Sequence, residues 1–214
     1  MKIGIIGAGV LGSQIARLLS RSGLEATIAN RRGPEALAGL LNEVGPSIQA
    51  GTVGEAASAD LVFLAVRWVE LEGILSELPP WNGRIVVDTT NPVAFLEPGS
   101  AEASDPSNPL AAYGIKAMDL GGRHSSAIVR ALAPGARVVK AFNHLDARAL
   151  TEPNVGGGRR VLFYSGDDPG AKAEVRKIMD AARFVPVDLG MLDTGGPLAT
   201  LPFGALSSLN LLSM

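Results

Sequence analysis

The 214 residues fit within one hydrophobic core, and 47% of them are hydrophobic, which excludes an intrinsically disordered chain. Nineteen Lys and Arg against 21 Asp and Glu leave a formal charge of −2, so nothing pulls the whole molecule toward nucleic acid or an anionic membrane, and any anion site must be local. There is no cysteine, which removes disulfides, thiolate catalysis and cysteine-zinc sites.

In chain order, apolar runs of strand length alternate with helical patterns. Lys2 to Ile6 is followed by a helix from Val10 to Ser22, Glu25 to Ala29 by a helix from Pro34 to Glu43, and Ile48 to Ala50 by a helix from Val53 to Ala57. Leu61 to Val66 leads into a helical pattern over Val69 to Leu78, and the strand Arg84 to Asp88 comes next. A loop from Asn91 to His124 carries Pro92, Pro98, Pro106 and Pro109, far more chain than the two to six residues usual in such connections. Beyond it come a helix over Ala127 to Leu132, strands at Arg137 to Ala141 and Val161 to Tyr164, a helix over Asp168 to Ala182, and a strand at Phe184 to Val187. Strands that are apolar on both faces, such as Leu61 to Val66, belong inside a parallel sheet covered on both sides. The expectation is one α/β domain over residues 1–214, a doubly wound Rossmann-type sheet that is mostly parallel. The extended loop at about 91–124 and a small, apolar tail at about 195–214 stand outside that rhythm. Leu201, Phe203, Leu206, Leu209, Leu211 and Leu212 in the tail need a surface to cover, on this chain or on a second copy, which raises the expectation of a homodimer. No apolar run approaches the ~18 residues of a membrane span and no secretory leader is visible, so a cytoplasmic protein without a membrane partner is expected.

Gly7-Ala8-Gly9-Val10-Leu11-Gly12 follows the first strand directly and opens the first helix, the context in which G-x-G-x-x-G binds a dinucleotide. Gly7 serves the tight turn, Gly9 the approach of a pyrophosphate to the backbone, and Gly12 the packing of helix on strand. The unpaired amides of the helix start hold the phosphates. A site for NAD places a carboxylate about 20 residues further on, for the ribose 2′-hydroxyl. Asn30, Arg31 and Arg32 stand there instead, and two guanidiniums suit the 2′-phosphate of NADP(H).

Ligands of doubly wound sheets lie outside the carboxyl ends of the strands. At those ends Ala65 and Val66 are small enough for a nicotinamide to lie against them, and Thr89, Thr90 and Asn91 offer hydroxyls and an amide. Asn143 and His144 close the next strand, where His144 could donate a hydrogen bond or shuttle a proton. His124, after Gly121 and Gly122, is a candidate pocket wall, with Ser125 or Ser126 as a helix cap. Two histidines without metal-ligand spacing exclude a recognisable metal site, and the absence of G-x-S-x-G removes support for hydrolase chemistry.

These motifs resemble the family of F420-dependent NADP oxidoreductases, which move hydride between NADP(H) and the 5-deazaflavin coenzyme F420. The similarity runs in order through MKIGIIGAGVLGSQIARLLSRSG at 1–23, ANRRGPEAL at 29–37, VVDTTNP at 86–92, DLGGRHSSAIV at 119–129, GARVVKAFNHL at 135–145, VLFYSGDD at 161–168 and VDLGMLDTGG at 187–196. The resemblance implies that Gly7 to Gly12 bind pyrophosphate, that Asn30, Arg31 and Arg32 bind the 2′-phosphate, and that Asn143, His144 and Leu145 wall the place where nicotinamide and deazaflavin stack. The sequence departs from the family at Arg67, where relatives often show proline, in the length of the loop from Val93 to Lys116, and in the tail from Pro197 onward. The expected activity is hydride transfer between NADPH and a small-molecule redox acceptor, coenzyme F420 or a flavin. A non-catalytic NADP(H) sensor, or a reductase of a small carbonyl or imine, is the alternative.

Overall fold

The computed structural model describes residues 1–214. Its first half comprises β1 (Ile3–Ile6), α1 (Val10–Arg21), β2 (Ala26–Ala29), α2 (Ala38–Val44), β3 (Ile48–Ala50), α3 (Val53–Ala57), β4 (Leu61–Leu64), α4 (Leu71–Ser76) and β5 (Ile85–Asp88). The second half comprises β6 (Val93–Phe95), β7 (Ile115–Ala117), α5 (Ser125–Leu132), β8 (Arg137–Ala141), β9 (Asn154–Val155), β10 (Gly158–Gly166), α6 (Pro169–Ala181), β11 (Val185–Asp188), α7 (Leu192–Ala199) and β12 (Leu212–Ser213).

The main sheet runs β11-β10-β8-β5-β4-β1-β2-β3. From β3 to β8 every pairing is parallel; β10 runs antiparallel to β8, and β11 is parallel to β10. The order reverses at β1, so the chain winds outward from the centre in both directions and the groove outside the β1 and β4 ends is the natural ligand position.

The apolar strands bury both faces because successive side chains point to opposite sides of the sheet. Ile5, Phe63, Val87 and Val139 share one core with Ile15 and Leu19 of α1 and Val175 and Ile178 of α6. Ile6, Leu64, Val86 and Val138 share the other with Leu71 and Leu75 of α4 and Val129 of α5. Each such side chain contributes about 1.5–3 kcal/mol when fully buried, so the centre of the sheet forms the rigid platform on which the strand ends are displayed.

Several segments differ from their sequence patterns, the first being the helix expected from Pro34 to Glu43, which starts as a 3-10 turn at Pro34–Leu37 and is α-helical over Ala38–Val44. The helix expected over Val69 to Leu78 starts as a 3-10 turn at Trp68–Glu70 and is α-helical only over Leu71–Ser76. His124, rather than a serine, is the N-cap of α5; Ser125 and Ser126 lie buried inside its first turn. The long loop contains an antiparallel ribbon pairing Val93 with Ala117 and Phe95 with Ile115, plus 3-10 turns at Glu102–Ser104 and Ala111–Tyr113. Gly195 and Gly196, assigned to the tail, sit within α7. Past α7, Leu206 packs beside Val161, Phe163 and Ala199, whereas Phe203, Leu209, Leu211 and Leu212 stay exposed. No helix is long and apolar enough to cross a membrane.

Candidate cofactor groove and acceptor pocket

The glycine turn is tight at two points and open at the third. Gly7 has φ +104°, and a Cβ there would lie 2.2 Å from the Ala65 carbonyl oxygen; at Gly12 it would lie 1.9 Å from the Gly7 oxygen. These two glycines are needed for the contact of α1 with β1 and β4, and the half-buried Ala65 and Val66 form the other side of that contact. Gly9 is different. Its φ of −74° is available to any residue, and a Cβ would meet nothing within 4 Å. Gly9 caps α1 without a side-chain hydrogen bond, and no acidic residue stands in the first turn. Val10 is 71% exposed beside it, while Ala8 and Leu11 are half-buried against the core. The result is an open groove faced by unpaired amides, the arrangement that accepts a pyrophosphate.

Beyond β2, the Asn30 Oδ1 accepts from the Arg32 amide at 2.8 Å, fixing the turn, while Asn30 Nδ2 is buried without a partner. The Arg32 side chain is exposed. Arg31 does not point freely into solvent: its Nη2 donates to Glu70 Oε1 at 2.9 Å. Glu70, in the turn after β4, is a partner that the spacing around Arg31 gave no reason to expect. It lies 39 positions away.

The ends of β5 and β8 hold a buried ion pair that the sequence pattern did not reveal. Asp88 and Lys140 stand opposite each other in register. Lys140 Nζ donates to Asp88 Oδ2 at 3.1 Å and to the Thr90 carbonyl oxygen. The other carboxylate oxygen of Asp88 accepts from the Thr90 amide at 2.9 Å and the Thr90 hydroxyl at 2.7 Å. Burial lowers the Lys140 pKa, and the Asp88 charge opposes that shift. Thr89 donates to the Leu64 carbonyl at 2.6 Å. Both threonines are thus committed to the strand ends, which they hold in place for Asn91. The only visible signal for the pair is a lysine between Val139 and Ala141 in an otherwise apolar strand.

Phe142 ends β8 at φ +60°, packed edge-on against Phe63 with ring centroids 5.5 Å apart. A bulky residue in the left-handed region costs about 1–3 kcal/mol, and the turn it makes brings Asn143 against Asn91. Asn91 Nδ2 donates to the Asn143 carbonyl at 2.8 Å, and Asn143 Nδ2 donates to Asn91 Oδ1 at 3.0 Å. The same pair holds the segment after α7: Asn143 Nδ2 also donates to the Ala199 carbonyl at 2.9 Å, and the Leu201 amide donates to Asn91 Oδ1 at 3.0 Å. Asn143, expected to face a reacting ligand, is a buried joint in this structure.

His144 is enclosed as well. Its ring is 0% exposed and packs 4.7 Å from Phe163. Neither ring nitrogen has a hydrogen-bond partner. Burial, only partly offset by the nearby Val161 backbone, which lies outside hydrogen-bond geometry, pushes its pKa down to about 4. The imidazole is neutral at pH 7 and touches no open cleft, so the proton shuttle expected of it has no route to a ligand in this conformation. The Ser208 amide, bonded to the His144 carbonyl at 2.8 Å, places the tail over it.

A cavity of about 320 Å³ opens beside these strand ends. The long loop supplies Met118, Leu120, Arg123 and His124; the chain after α7 supplies Leu201, Pro202 and Phe203, with Pro92 linking the cavity to β5. The wall contains an arginine but no Asp or Glu. His124 therefore lies in the pocket wall as its position suggested, with the largely buried Ser125 beside it, while Ser126 is covered. No group of three or more His, Cys, Asp or Glu side chains converges as a metal site.

Residues 2–92, which contain the glycine turn, the Asn30–Arg32 segment and Asn91, match the family model for NADP oxidoreductase, coenzyme F420-dependent. The match takes in the stretch from β1 through β5. Among solved structures it is similar to the hypothetical protein SMa0349 of Sinorhizobium meliloti, at 39% identity over 100% of this chain and 97% of that one, with a TM-score of 0.86. A protein of Arthrobacter sp. FB24, described as a candidate F420-dependent NADP reductase, matches 90% of this chain and 86% of its own at 26% identity and a TM-score of 0.67. The rat (Rattus norvegicus) metalloreductase STEAP3 is 30% identical over 210 residues, 97% of this chain but 37% of that protein. The chain thus spans little more than a third of the curated relative it matches. The match and these neighbours agree with the Rossmann-type fold and support an oxidoreductase, and the descriptions of the relatives differ in the acceptor they name.

Proposed function

We propose that this protein binds NADP(H) in the groove over β1 and passes hydride between it and a flat redox acceptor, coenzyme F420 or a flavin, seated in the cavity beside β5. The observation that carries this reading is Gly9, a glycine that its own backbone does not require, under open space at an uncapped helix start. That space suits a pyrophosphate approaching the main chain. Asn30 Nδ2, buried and unpaired, and the Arg32 guanidinium are suited to the adenosine-ribose end.

Bound NADPH would supply the hydride from its C4, and the acceptor would take up the balancing proton from water. The chain's own contribution is to bind and align. Ala65 and Val66 leave a low wall at the β4 end, the Asn91–Asn143 joint sets the position of residues 199–201, and Met118, Leu201 and Phe203 offer an apolar surface for a ring. Alignment of two bound rings can lower a barrier by about 7–11 kcal/mol without an acid or base, which agrees with an enclosed, neutral His144. The positive, carboxylate-free wall favours an acceptor that carries an anionic group near Arg123. The exposed tail side chains keep a cytoplasmic homodimer within the same proposal.

Titration with NADPH and NADH, followed by steady-state oxidation with coenzyme F420, FMN and riboflavin, tests this reading. NADPH binds more tightly than NADH, and the Arg31→Ala, Arg32→Ala double variant loses that preference. FMN has a lower KM than riboflavin, a difference erased by Arg123→Gln. Binding without turnover on any acceptor would instead make the protein an NADP(H) sensor.

A further inference from the structure

The sheet order puts β1 between β2 and β4. Neighbouring strands lie about 4.8 Å apart, so a residue just past β2 and one just past β4 are separated by about 10 Å, with the glycine turn of β1 between them. Arg31 lies shortly past β2, and Glu70 ends the 3-10 turn Trp68–Glu70 that the chain makes after β4; their side chains meet at 2.9 Å. The ion pair therefore bridges the carboxyl edge of β1. It crosses the adenosine end of the groove that the proposed function assigns to the dinucleotide, on which this inference rests.

We infer that the Arg31–Glu70 pair is a strap across the groove that any dinucleotide must open, and that Glu70 thereby sets cofactor affinity. The two cofactors differ once the pair is open. An entering NADPH offers its 2′-phosphate to Arg31 in place of the lost carboxylate. An entering NADH offers only a hydroxyl, so the opened pair is left uncompensated. The strap costs both cofactors the same at entry, and the phosphate restores the loss for one alone. Arg31 makes the discrimination between them, while Glu70 is a positioning residue that acts through its hold on Arg31 and lowers the affinity for both.

The pair is 70% exposed on the Arg31 side and 27% on the Glu70 side, which keeps its strength within the range of surface ion pairs. Removing it therefore shifts affinity by about two- to fivefold.

The decisive measurement is the dissociation constant of NADH and NADPH, read by cofactor fluorescence, for wild type, Glu70→Gln, Arg31→Ala and the double variant. A strap predicts that Glu70→Gln tightens both cofactors by the same factor. It also predicts that Glu70→Gln has no further effect on NADH once Arg31 is alanine. If Glu70→Gln tightens NADPH alone, Glu70 acts by direct repulsion of the phosphate and the strap is wrong. Unchanged or weaker NADH binding overturns it as well. Failure of the wild type to bind either cofactor removes the proposed function itself, an outcome distinct from NADPH binding with an unresponsive Glu70. Matching melting curves for the four proteins establish that the exposed substitutions leave the fold intact.

Discussion

The two sides of the candidate site are built in opposite ways. On the proposed cofactor side the groove is made by a few consecutive residues, Gly7 to Gly12, whose backbone geometry shapes it and leaves it open at Gly9. On the acceptor side the wall is assembled from chain segments far apart in sequence: Asn91, Asn143, Ala199 and Leu201 meet through four side-chain hydrogen bonds. The first is a local device carried by strand, turn and helix. The second exists only when the whole sheet has formed, because β5 and β8 must be neighbours before Asn91 can find Asn143.

The contrast can be broken most severely at the glycine turn. In Gly12→Ala the added Cβ meets the Gly7 carbonyl at 1.9 Å, a backbone atom that cannot swing away as a side chain could. The expected loss is at or beyond the ~5 kcal/mol edge of single-substitution effects, read as failure to fold or collapse of the urea midpoint. Gly9→Ala, with nothing within 4 Å of the new carbon, leaves stability within about 0.5 kcal/mol of wild type yet weakens NADPH binding. Equal stability losses at the two positions would show that both glycines serve packing and that the open groove has no ligand.

The acceptor side is tested at Lys140. Lys140→Met leaves the Asp88 carboxylate buried without its cation and removes the bond that holds the Thr90 carbonyl. Breaking such a pair costs about 3–5 kcal/mol, whereas replacing both partners with apolar residues is often neutral. The double variant Asp88→Leu, Lys140→Met is therefore more stable than Lys140→Met alone in chemical denaturation. A single variant as stable as wild type would mean that the pair contributes nothing to the geometry of Thr90 and Asn91.

This division also explains what the sequence disclosed. The alternation of strands and helices, the two-faced burial of Leu61 to Leu64 and the glycine turn between β1 and α1 are local or periodic signals, and the structure has them near where the residues place them. The Arg31–Glu70 pair, the Asp88–Lys140 pair and the Asn91–Asn143 joint depend on strand order. No pattern within one segment encodes that order. His144 shows the same limit from another direction. Its position after β8 suggests a ligand edge, but the tail that covers it arrives from Ser208 and nothing near His144 announces it.

The burial of His144 has a consequence in acid, smaller than the two losses above and opposite in kind, because it penalises a charge instead of removing a contact. The folded ring has a pKa of about 4 against an ordinary 6.5. Between those values the unfolded chain binds a proton that the folded chain refuses, so stability rises with pH through this window and is lost as pH falls from 6.5 toward 4. The linkage amounts to on the order of 3 kcal/mol across the full window. His144→Leu removes the titrating group and also the two ring nitrogens that lack partners. Its melting temperature should fall less than that of wild type between pH 7 and pH 4.5, the residual slope belonging to carboxylates. Parallel slopes for the two proteins would mean that water reaches the ring, that the tail opens readily over the β8 end, and that His144 is available to a bound acceptor after all.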